Sequence, residues 1–286
     1  MRSVVITGTS TGIGWAASKV LIANGFRVFG SVRKTSDAKR LESELGPNFV
    51  PLLFDVTDEG AVNAAAAQVR AALADETLAG LVNNAGVAVA GPLLELPLEE
   101  FRRQIDVNLN GVVIATRAFA PLLGTDRPRK GAPGRIVNIS SVGGEIATPF
   151  LAAYNASKFA IEGLSESLRR ELLLFGIDVV VIAPGAVATA IWAKAEQVDM
   201  APYRNTPYGP ALERLRAYAL AEGRKGLPPE RAGQVVLHAL TAARPKVRYV
   251  VSPQPVQHWF ARSMPKRVFD RLLGSRLGLL PEGPAK

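Results

Sequence analysis

The chain has 286 residues, 48% hydrophobic and 21% charged, a balance that gives a folded protein of one or two domains and excludes disordered and fibrous classes. It contains no cysteine and only two histidines, His238 and His258, which excludes disulfides, thiolate zinc and iron-sulfur sites and argues against a His-based metal site or a Ser-His-Asp triad. The formal charge of +9 is uneven, because residues 244–286 hold nine Lys/Arg against two Asp/Glu while the preceding chain holds 25 against 23, so the basic character is a property of the C-terminal end and no nucleic-acid surface is expected.

Arg2 leads directly into Ser3-Val-Val-Ile-Thr7, which reads as a first strand over 3–7 and not as a cleavable apolar leader, and a cytoplasmic chain is expected. Further apolar, β-branched runs predict strands over 27–32, 48–54, 80–83, 135–140, 177–183 and 247–251, with amphipathic helical patterns between them over 13–25, 36–46, 58–75, 97–124, 153–175 and 228–243. Asp58-Glu59 and Pro97 are start signals for two of those helices. Strict alternation of strand and helix predicts the α/β class and one doubly wound parallel sheet of seven strands with helices on both faces; the arrangement expected of it is Rossmann-type, in the order 3-2-1-4-5-6-7. The longest uncharged run, 77–94, is interrupted by Asn83, Asn84, glycines and Pro92, so no bilayer-spanning segment is expected. Residues 186–227 are too long for an ordinary connection and rich in Pro, Tyr and charge, which marks a substrate insert within a cofactor-binding and catalytic domain of residues 1–251. Residues 252–286 form a basic, amphipathic extension of the same domain.

Three features carry chemistry. Thr7-Gly8-Thr9-Ser10-Thr11-Gly12-Ile13-Gly14 lies between the first strand and the first helix, where glycines permit a tight turn and backbone N–H groups can meet a pyrophosphate at a positively polarised helix terminus. Tyr154 and Lys158 are four apart on a predicted helix and share a face. A cationic lysine there favours the phenolate and brings proton transfer within reach of a tyrosine that ordinarily titrates near 10. Ser141 follows the fifth strand and is suited to donate a hydrogen bond to a substrate carbonyl or its developing alkoxide.

The TGxxxGxG spacing of the loop, Asn83-Asn84-Ala85-Gly86 after strand four, Asn108 in Val107-Asn108-Leu109, Ser141, Tyr154-Asn-Ala-Ser-Lys158 and Pro184-Gly185-Ala-Val-Ala-Thr189 occur together and in order. On these six motifs the chain resembles the short-chain dehydrogenase/reductase family over about residues 3–251, in its steroid- and retinol-dehydrogenase-like branch. The resemblance implies that Lys158 also binds the nicotinamide ribose, that Asn108 holds a water linking Lys158 to solvent, and that Asn84, Ala85 and Gly86 line the cofactor with Pro184 and Gly185. It also places Asp55 and Val56 near the adenine, and Val187 and Thr189 at the nicotinamide carboxamide. The second strand ends in Arg33-Lys34 with no carboxylate, which predicts NADP(H), Arg33 being the principal partner of the 2′-phosphate and Thr11 a hydroxyl donor. A homo-dimer or homo-tetramer built on the helices at 97–124 and 153–175 is implied. The N-x-S triplets at Asn138 and Asn155 fall inside predicted buried elements, so glycosylation is not expected.

The expected substrate walls are mostly apolar: Val142, Ile146, Phe150 and Leu151 after Ser141, residues 87–94 after the NNAG stretch, and Trp192, Tyr203, Tyr208 and Tyr218 in the insert, with Glu145 the exception. They predict reversible oxidoreduction of a ketone or aldehyde and its alcohol on a hydrophobic small molecule, steroid-, retinoid- or aryl-like. Two alternatives are an NADPH-sensing regulatory protein that has kept the fold, against which the intact Asn108, Ser141, Tyr154 and Lys158 set argues, and nucleotide-sugar epimerase or dehydratase chemistry, whose GxxGxxG loop and longer C-terminal domain are missing. In the C-terminal stretch Val268, Phe269, Leu272, Leu273 and Leu277 recur at helical spacing, with Lys266, Arg267 and Arg271 on the other side. That pattern suits a cover for the substrate mouth or a subunit contact, a peripheral membrane anchor, or a nucleic-acid patch. His258 and Trp259 are expected to pack there, not to catalyse.

Overall fold

The computed structural model describes residues 1–126, 129–189, 192, 196 and 199–281. Seven parallel strands form a single sheet: β1 (Ser3–Ile6), β2 (Arg27–Val32), β3 (Phe49–Leu53), β4 (Gly80–Asn83), β5 (Arg135–Ile139), β6 (Asp178–Pro184) and β7 (Arg248–Val251). Their order is β3-β2-β1-β4-β5-β6-β7, as expected, and it reverses direction between β1 and β4. A crevice therefore opens at the carboxyl ends of those two strands.

Alternation along the strands divides the apolar side chains between two cores. Val4 and Ile6 point to one face of the sheet with Leu21, Leu41, Val236 and Leu240, which come from α1 (Gly12–Ala23), α2 (Thr35–Leu45) and a helix over Pro229–Thr241. Val5 points to the other face with Val62, Val69, Ala115 and Phe119, which come from α3 (Glu59–Leu73) and α5 (Gly111–Ala120); α4 (Leu98–Ile105) and α6 (Ala152–Glu171) lie between and after them in the chain. Each strand and each helix anticipated from the sequence begins and ends within a residue or two of its expected bounds, with two exceptions: the helix expected at 153–175 ends as an α-helix at Glu171 and finishes in a 3-10 turn over Leu172–Phe175, and a second differs in kind. The helix expected at 97–124 is α4, a π-helical turn at Asp106–Asn110, α5, and a second wide turn at Pro121–Thr125 where Gly124 sits at φ +123°. The run Leu98–Thr125 is long and apolar enough to cross a membrane, but Ala115, Phe119, Leu122 and Leu123 spend its apolar surface on the sheet. The first π turn rotates Asn108 inward to 1% exposure, which is what such turns commonly do at functional sites.

The remaining elements stand beside the crevice. Residues 186–227 leave and rejoin the body at one place, since Leu227 donates to the Ala186 carbonyl (3.0 Å) and Ala188 to the Leu227 carbonyl (2.9 Å). Within them lies α7 (Gly209–Arg224), a helix the sequence reading did not assign; α8 (Pro229–Thr241) follows it. After β7 come α9 (Pro255–Ser263) and α10 (Lys266–Leu277). Phe150, Tyr203, Ala211, Leu212 and Leu277 make a third, smaller core, with Leu273 packed on it, and Arg214 donates to the Leu277 carbonyl (2.9 Å).

Candidate active site

The glycine-rich turn between β1 and α1 is built for close approach. Gly8 and Gly12 take left-handed backbone, φ +71° and +64°, which only glycine adopts without strain. At Gly14 a Cβ would stand 2.3 Å from the Gly8 carbonyl oxygen and 2.5 Å from Asn84 Nδ2. Asn84 is the strut of this turn: its Nδ2 donates to the carbonyls of Thr7 and Gly8, both at 2.9 Å. Thr7 Oγ1 in return accepts from the backbone N–H groups of Asn84 and Ala85, again at 2.9 Å. The loop and the Asn83–Gly86 segment are thereby one unit. Gly8 N–H donates to Ser31 Oγ and Thr9 N–H to the Ser31 carbonyl, each at 2.9 Å, and Ile13 packs into the core, so Ile13 faces the crevice through its backbone alone. Helix α1 starts behind Thr11 with no side-chain cap and no acidic residue in its first turn, which leaves polarised N–H groups for an anion.

At the end of β2, Arg33 is exposed and its Nη1 stands 3.5 Å from Asp55 Oδ2. Burial pushes the Asp55 carboxyl up, but hydrogen bonds from the Thr57 amide and hydroxyl and the nearby Arg33 guanidinium together outweigh it and hold its pKa below the ordinary value. Val56 fills the space beside Gly111, where a Cβ would meet Val56 Cγ2 at 2.7 Å. A second guanidinium belongs to this corner. Arg40, on α2, donates to the Ser10 carbonyl (2.6 Å) and to Glu44 (3.1 Å), and Glu44 accepts from Trp15 Nε1 (2.8 Å). Sequence reasoning missed Arg40, whose only signal was its place one turn into the helix that follows β2. Tested against a dinucleotide with a 2′-phosphate, the corner fits: a glycine turn with no room for side chains, an uncapped helix terminus, two guanidinium groups and no carboxylate at the end of β2.

Across the crevice, Ser141 follows β5 in extended backbone, accepts from Gly143 N–H (3.0 Å) and is 3.4 Å from the Pro184 carbonyl. Its hydroxyl and the Tyr154 ring flank the same spot, since a Cβ on Gly143 would stand 3.4 Å from both Ser141 Oγ and Tyr154 Cε1, close enough for the hydroxyl to favour the phenolate. One turn further along α6, Lys158 is 7% exposed, points its Nζ over the Tyr154 ring at 5.8 Å from the centroid, and donates to the Ile139 carbonyl (2.8 Å). Burial lowers the Lys158 pKa from 10.5 to about 8, against the opposing attraction of Glu162. Burial raises that of Tyr154, and the Ser141 hydroxyl lowers it by less. Against the expectation of a phenol made more acidic by its lysine, the phenol pKa in the protein alone is shifted up, because burial dominates while the ammonium is hydrogen-bonded to the Ile139 carbonyl. Asn108 is held by protein groups of two segments. Its Oδ1 accepts from Val87 N–H (2.8 Å), and its Nδ2 donates to the Val87 carbonyl (3.0 Å) and to Ser157 Oγ (3.1 Å), so it ties the segment after NNAG to the residue preceding Lys158.

From β6, Pro184 and Gly185 lead to Val187, which is 4% exposed, and Thr189. The latter sits against the glycine turn, since a Cβ on Gly12 would lie 3.4 Å from it. A cleft of about 370 Å³ beside them is lined by Gly12, Trp15, Thr189, Trp192 and Gly223. Of the expected substrate walls, Phe150 stacks edge-on with Tyr208 (5.9 Å), and its carbonyl accepts from Gly91 N–H (2.8 Å). Phe150 has φ +64°, strained backbone of the kind held in place at functional sites. Tyr203 crowds Gly91 from the other side, 2.8 Å from where a Cβ would stand. Tyr218 is not a wall residue: it is exposed, with the Arg276 guanidinium 4.9 Å above its ring.

Glu145, four residues after Ser141, anchors a cluster that the sequence reading did not assemble. Its carboxylate meets Arg248 (3.0 Å), Arg262 (3.1 Å) and His258 Nε2 (3.2 Å), and Arg248 also reaches Glu162 (3.2 Å). The turn that carries Ser141 is thus fastened to β7 and α9. His258 packs as expected, whereas Trp259, expected to pack with it, is 61% exposed.

Residues 2–199 match the model of the short chain dehydrogenase family. The chain is 39% identical to the NADPH-dependent 3-dehydrocapnine reductase of Ornithobacterium rhinotracheale over 273 residues, 95% of this chain and 96% of that protein. It is 32% identical to dehydrogenase/reductase SDR family member 9 of Bos taurus over 287 residues, 95% and 87% of the two chains. Among solved structures, a short-chain dehydrogenase from Streptomyces avermitilis superposes with a TM-score of 0.76 at 25% identity, covering 97% of each chain.

Proposed function

The chain belongs to the short chain dehydrogenase family, and from that premise we propose that it uses NADP(H) to interconvert a ketone or aldehyde and the corresponding alcohol on a hydrophobic molecule. The observation that carries this reading is the meeting of Ser141 Oγ and the Tyr154 ring at Gly143, with the buried Lys158 Nζ 5.8 Å from that ring's centroid, at the carboxyl edge of a sheet whose glycine turn faces the same crevice. NADPH, when bound, supplies hydride to the carbonyl carbon. Arg33, Thr11 and the α1 terminus would hold its phosphates, Asn84 to Gly86 and Thr189 its remainder, and Lys158 its ribose. In the direction of reduction Ser141 donates a hydrogen bond to the carbonyl oxygen, and Tyr154 gives that oxygen its proton as negative charge develops there. A raised phenol pKa suits this direction, since it keeps the proton on Tyr154 until the alkoxide forms.

The substrate class is supported by Phe150, Tyr203 and Tyr208 beside the crevice and by the exposed Leu93 and Leu94 on the loop after Gly86. Cytoplasmic placement and assembly into a homo-dimer or homo-tetramer complete the reading. NADPH oxidation assayed across lipophilic ketones and aldehydes, sugars and small polyols tests it. Turnover is expected on the first group. Tyr154→Phe should keep NADPH affinity and lose about 10²–10⁴-fold in kcat. Tight NADPH binding without turnover on any carbonyl compound would leave a sensor in place of an enzyme, and a preference for polyols would end the substrate assignment.

A further inference from the structure

The surface presented by α9 and α10 is not absorbed by this reaction. On α9, Val256, Trp259 and Phe260 stand at i, i+3 and i+4 and are 64%, 61% and 59% exposed, and the helix buries none of its residues. On α10, Val268 and Leu272 are 49% and 57% exposed. These faces are turned outward because the opposite faces are already fastened: His258 and Arg262 to Glu145, Leu273 and Leu277 to the α7 core. Trp259 and Phe260 hold each other edge-on at 5.1 Å, a large amphipathic and apolar pair kept in water by the single chain. The two helices carry Arg262, Lys266, Arg267, Arg271 and Arg276, with Asp270 their lone acid; Arg262 is paired with Glu145 and Arg276 lies over Tyr218, which leaves the exposed Lys266, Arg267 and Arg271 as the cations of the two helices unengaged among the described residues.

Exposed aromatic and aliphatic groups flanked by cations match the headgroup boundary of an anionic bilayer, which accepts apolar side chains a few ångströms deep and attracts lysine and arginine at its phosphates. A second copy of the chain suits the face less well. A two-fold contact would set five cations and one acid against the same set. We propose that the outer face of α9 and α10 docks on anionic phospholipid membrane, with Trp259 and Phe260 entering the headgroup boundary and Lys266, Arg267 and Arg271 meeting the lipid phosphates. Docking itself is independent of the reaction. The delivery of a bilayer-dissolved ketone to Ser141 and Tyr154 rests on the function proposed above.

The test is co-sedimentation of the full chain, without substrate, with vesicles of phosphatidylcholine alone and of phosphatidylcholine mixed with phosphatidylglycerol, at low and high salt. Binding is expected to the anionic vesicles and to fade with salt. Replacing Lys266, Arg267 and Arg271 together by Gln should weaken it on the order of 100-fold. Lipids brominated in the acyl chain should quench tryptophan fluorescence, and Trp259→Phe, a substitution mild enough to keep the fold, should abolish that quenching. Equal binding to neutral and anionic vesicles, unquenched fluorescence, or no binding at all would overturn the proposal. So would a halved solution mass in the Gln variant with no vesicle binding by the wild type, which would make the face a contact between copies. Failure of the wild type to bind vesicles while it oxidises NADPH refutes docking alone, whereas absent turnover with docking intact refutes the catalytic reading alone.

Discussion

Replacing Lys158 by Met keeps the reach of the side chain and removes its charge, and the consequence for stability has a definite sign. In the cofactor-free protein burial brings the Lys158 pKa from 10.5 down to about 8. The folded state therefore gives up this proton at lower pH than the unfolded chain does, and between about pH 8 and 10.5 the unfolded chain binds more protons. Stability contributed by this group rises with pH across that window. A displacement from 10.5 to about 8 is worth at most about 3.4 kcal/mol, of which roughly 2.5 kcal/mol is realised between pH 7 and 10. Urea denaturation of wild type and Lys158→Met at pH 7, 8, 9 and 10 reads it directly. Tyr154 and the other titrating groups are common to both proteins and largely cancel in the difference, and loss of the 2.8 Å bond to Ile139 shifts the whole curve without setting its slope. Wild type should gain about 2 to 2.5 kcal/mol on the variant from pH 7 to 10. A difference that is flat or falls with pH would mean a solvated ammonium in the folded state, and burial would no longer explain the protonation of the catalytic lysine.

Gly14→Ala forces a methyl group to within 2.3 Å of the Gly8 carbonyl and should cost about 1–3 kcal/mol in urea denaturation, with weakened NADPH binding by fluorescence; wild-type stability would show that the turn is looser than its geometry. Arg33→Ala should lower kcat/KM with NADPH by about 10- to 100-fold and leave the value with NADH unchanged, so an equal loss with both cofactors would remove Arg33 from the 2′-phosphate. Glu145→Gln leaves Arg248, whose side chain is 18% exposed, with one carboxylate in place of two. It should cost about 1–3 kcal/mol and speed limited proteolysis beyond β7, and an unchanged digestion rate would mean that α9 is held by other contacts.

The fold was legible because its signals are local. Ile177-Asp-Val-Val-Val-Ile-Ala183 reads as a strand buried on both faces, and each following amphipathic run needs a sheet to cover it. Parallel units with right-handed crossovers narrow the possible strand orders, and the Gly-rich turn after β1 with the NNAG stretch after β4 selects the one in which those two strands are neighbours. Helix α7 escaped notice because it lies within the Pro-, Tyr- and charge-rich 186–227 insert, although its own sequence is rich in Ala and Leu, and its buried face, Ala211 and Leu212, is short and is completed by Leu277 from far along the chain. The break at Asp106–Asn110 was hidden for a related reason. A π turn has no composition of its own, and what holds this one is Asn108 bonding to both backbone groups of Val87.

In the site, spacing identified partners but not protonation. That Tyr154 and Lys158 share a helical face is arithmetic on the sequence. Which way each titrates depends on groups that other elements bring: the Ile139 carbonyl at the end of β5, the Ser141 hydroxyl beyond it, and the depth to which α6 is buried. Those contributions oppose the simple pairing, for burial shifts the phenol up and the ammonium down, while the ammonium spends a hydrogen bond on the Ile139 carbonyl. Arg40 and Glu145 belong to the same class of residue. Each lies near a motif in the chain, yet each acts through partners that only the folded sheet assembles, Ser10 and Glu44 for one, Arg248, His258 and Arg262 for the other. The chemistry proposed for this crevice thus depends on short spacings for its groups and on long-range packing for their charge states, so substitutions that spare every motif, such as Glu145→Gln, are the ones that separate the two contributions.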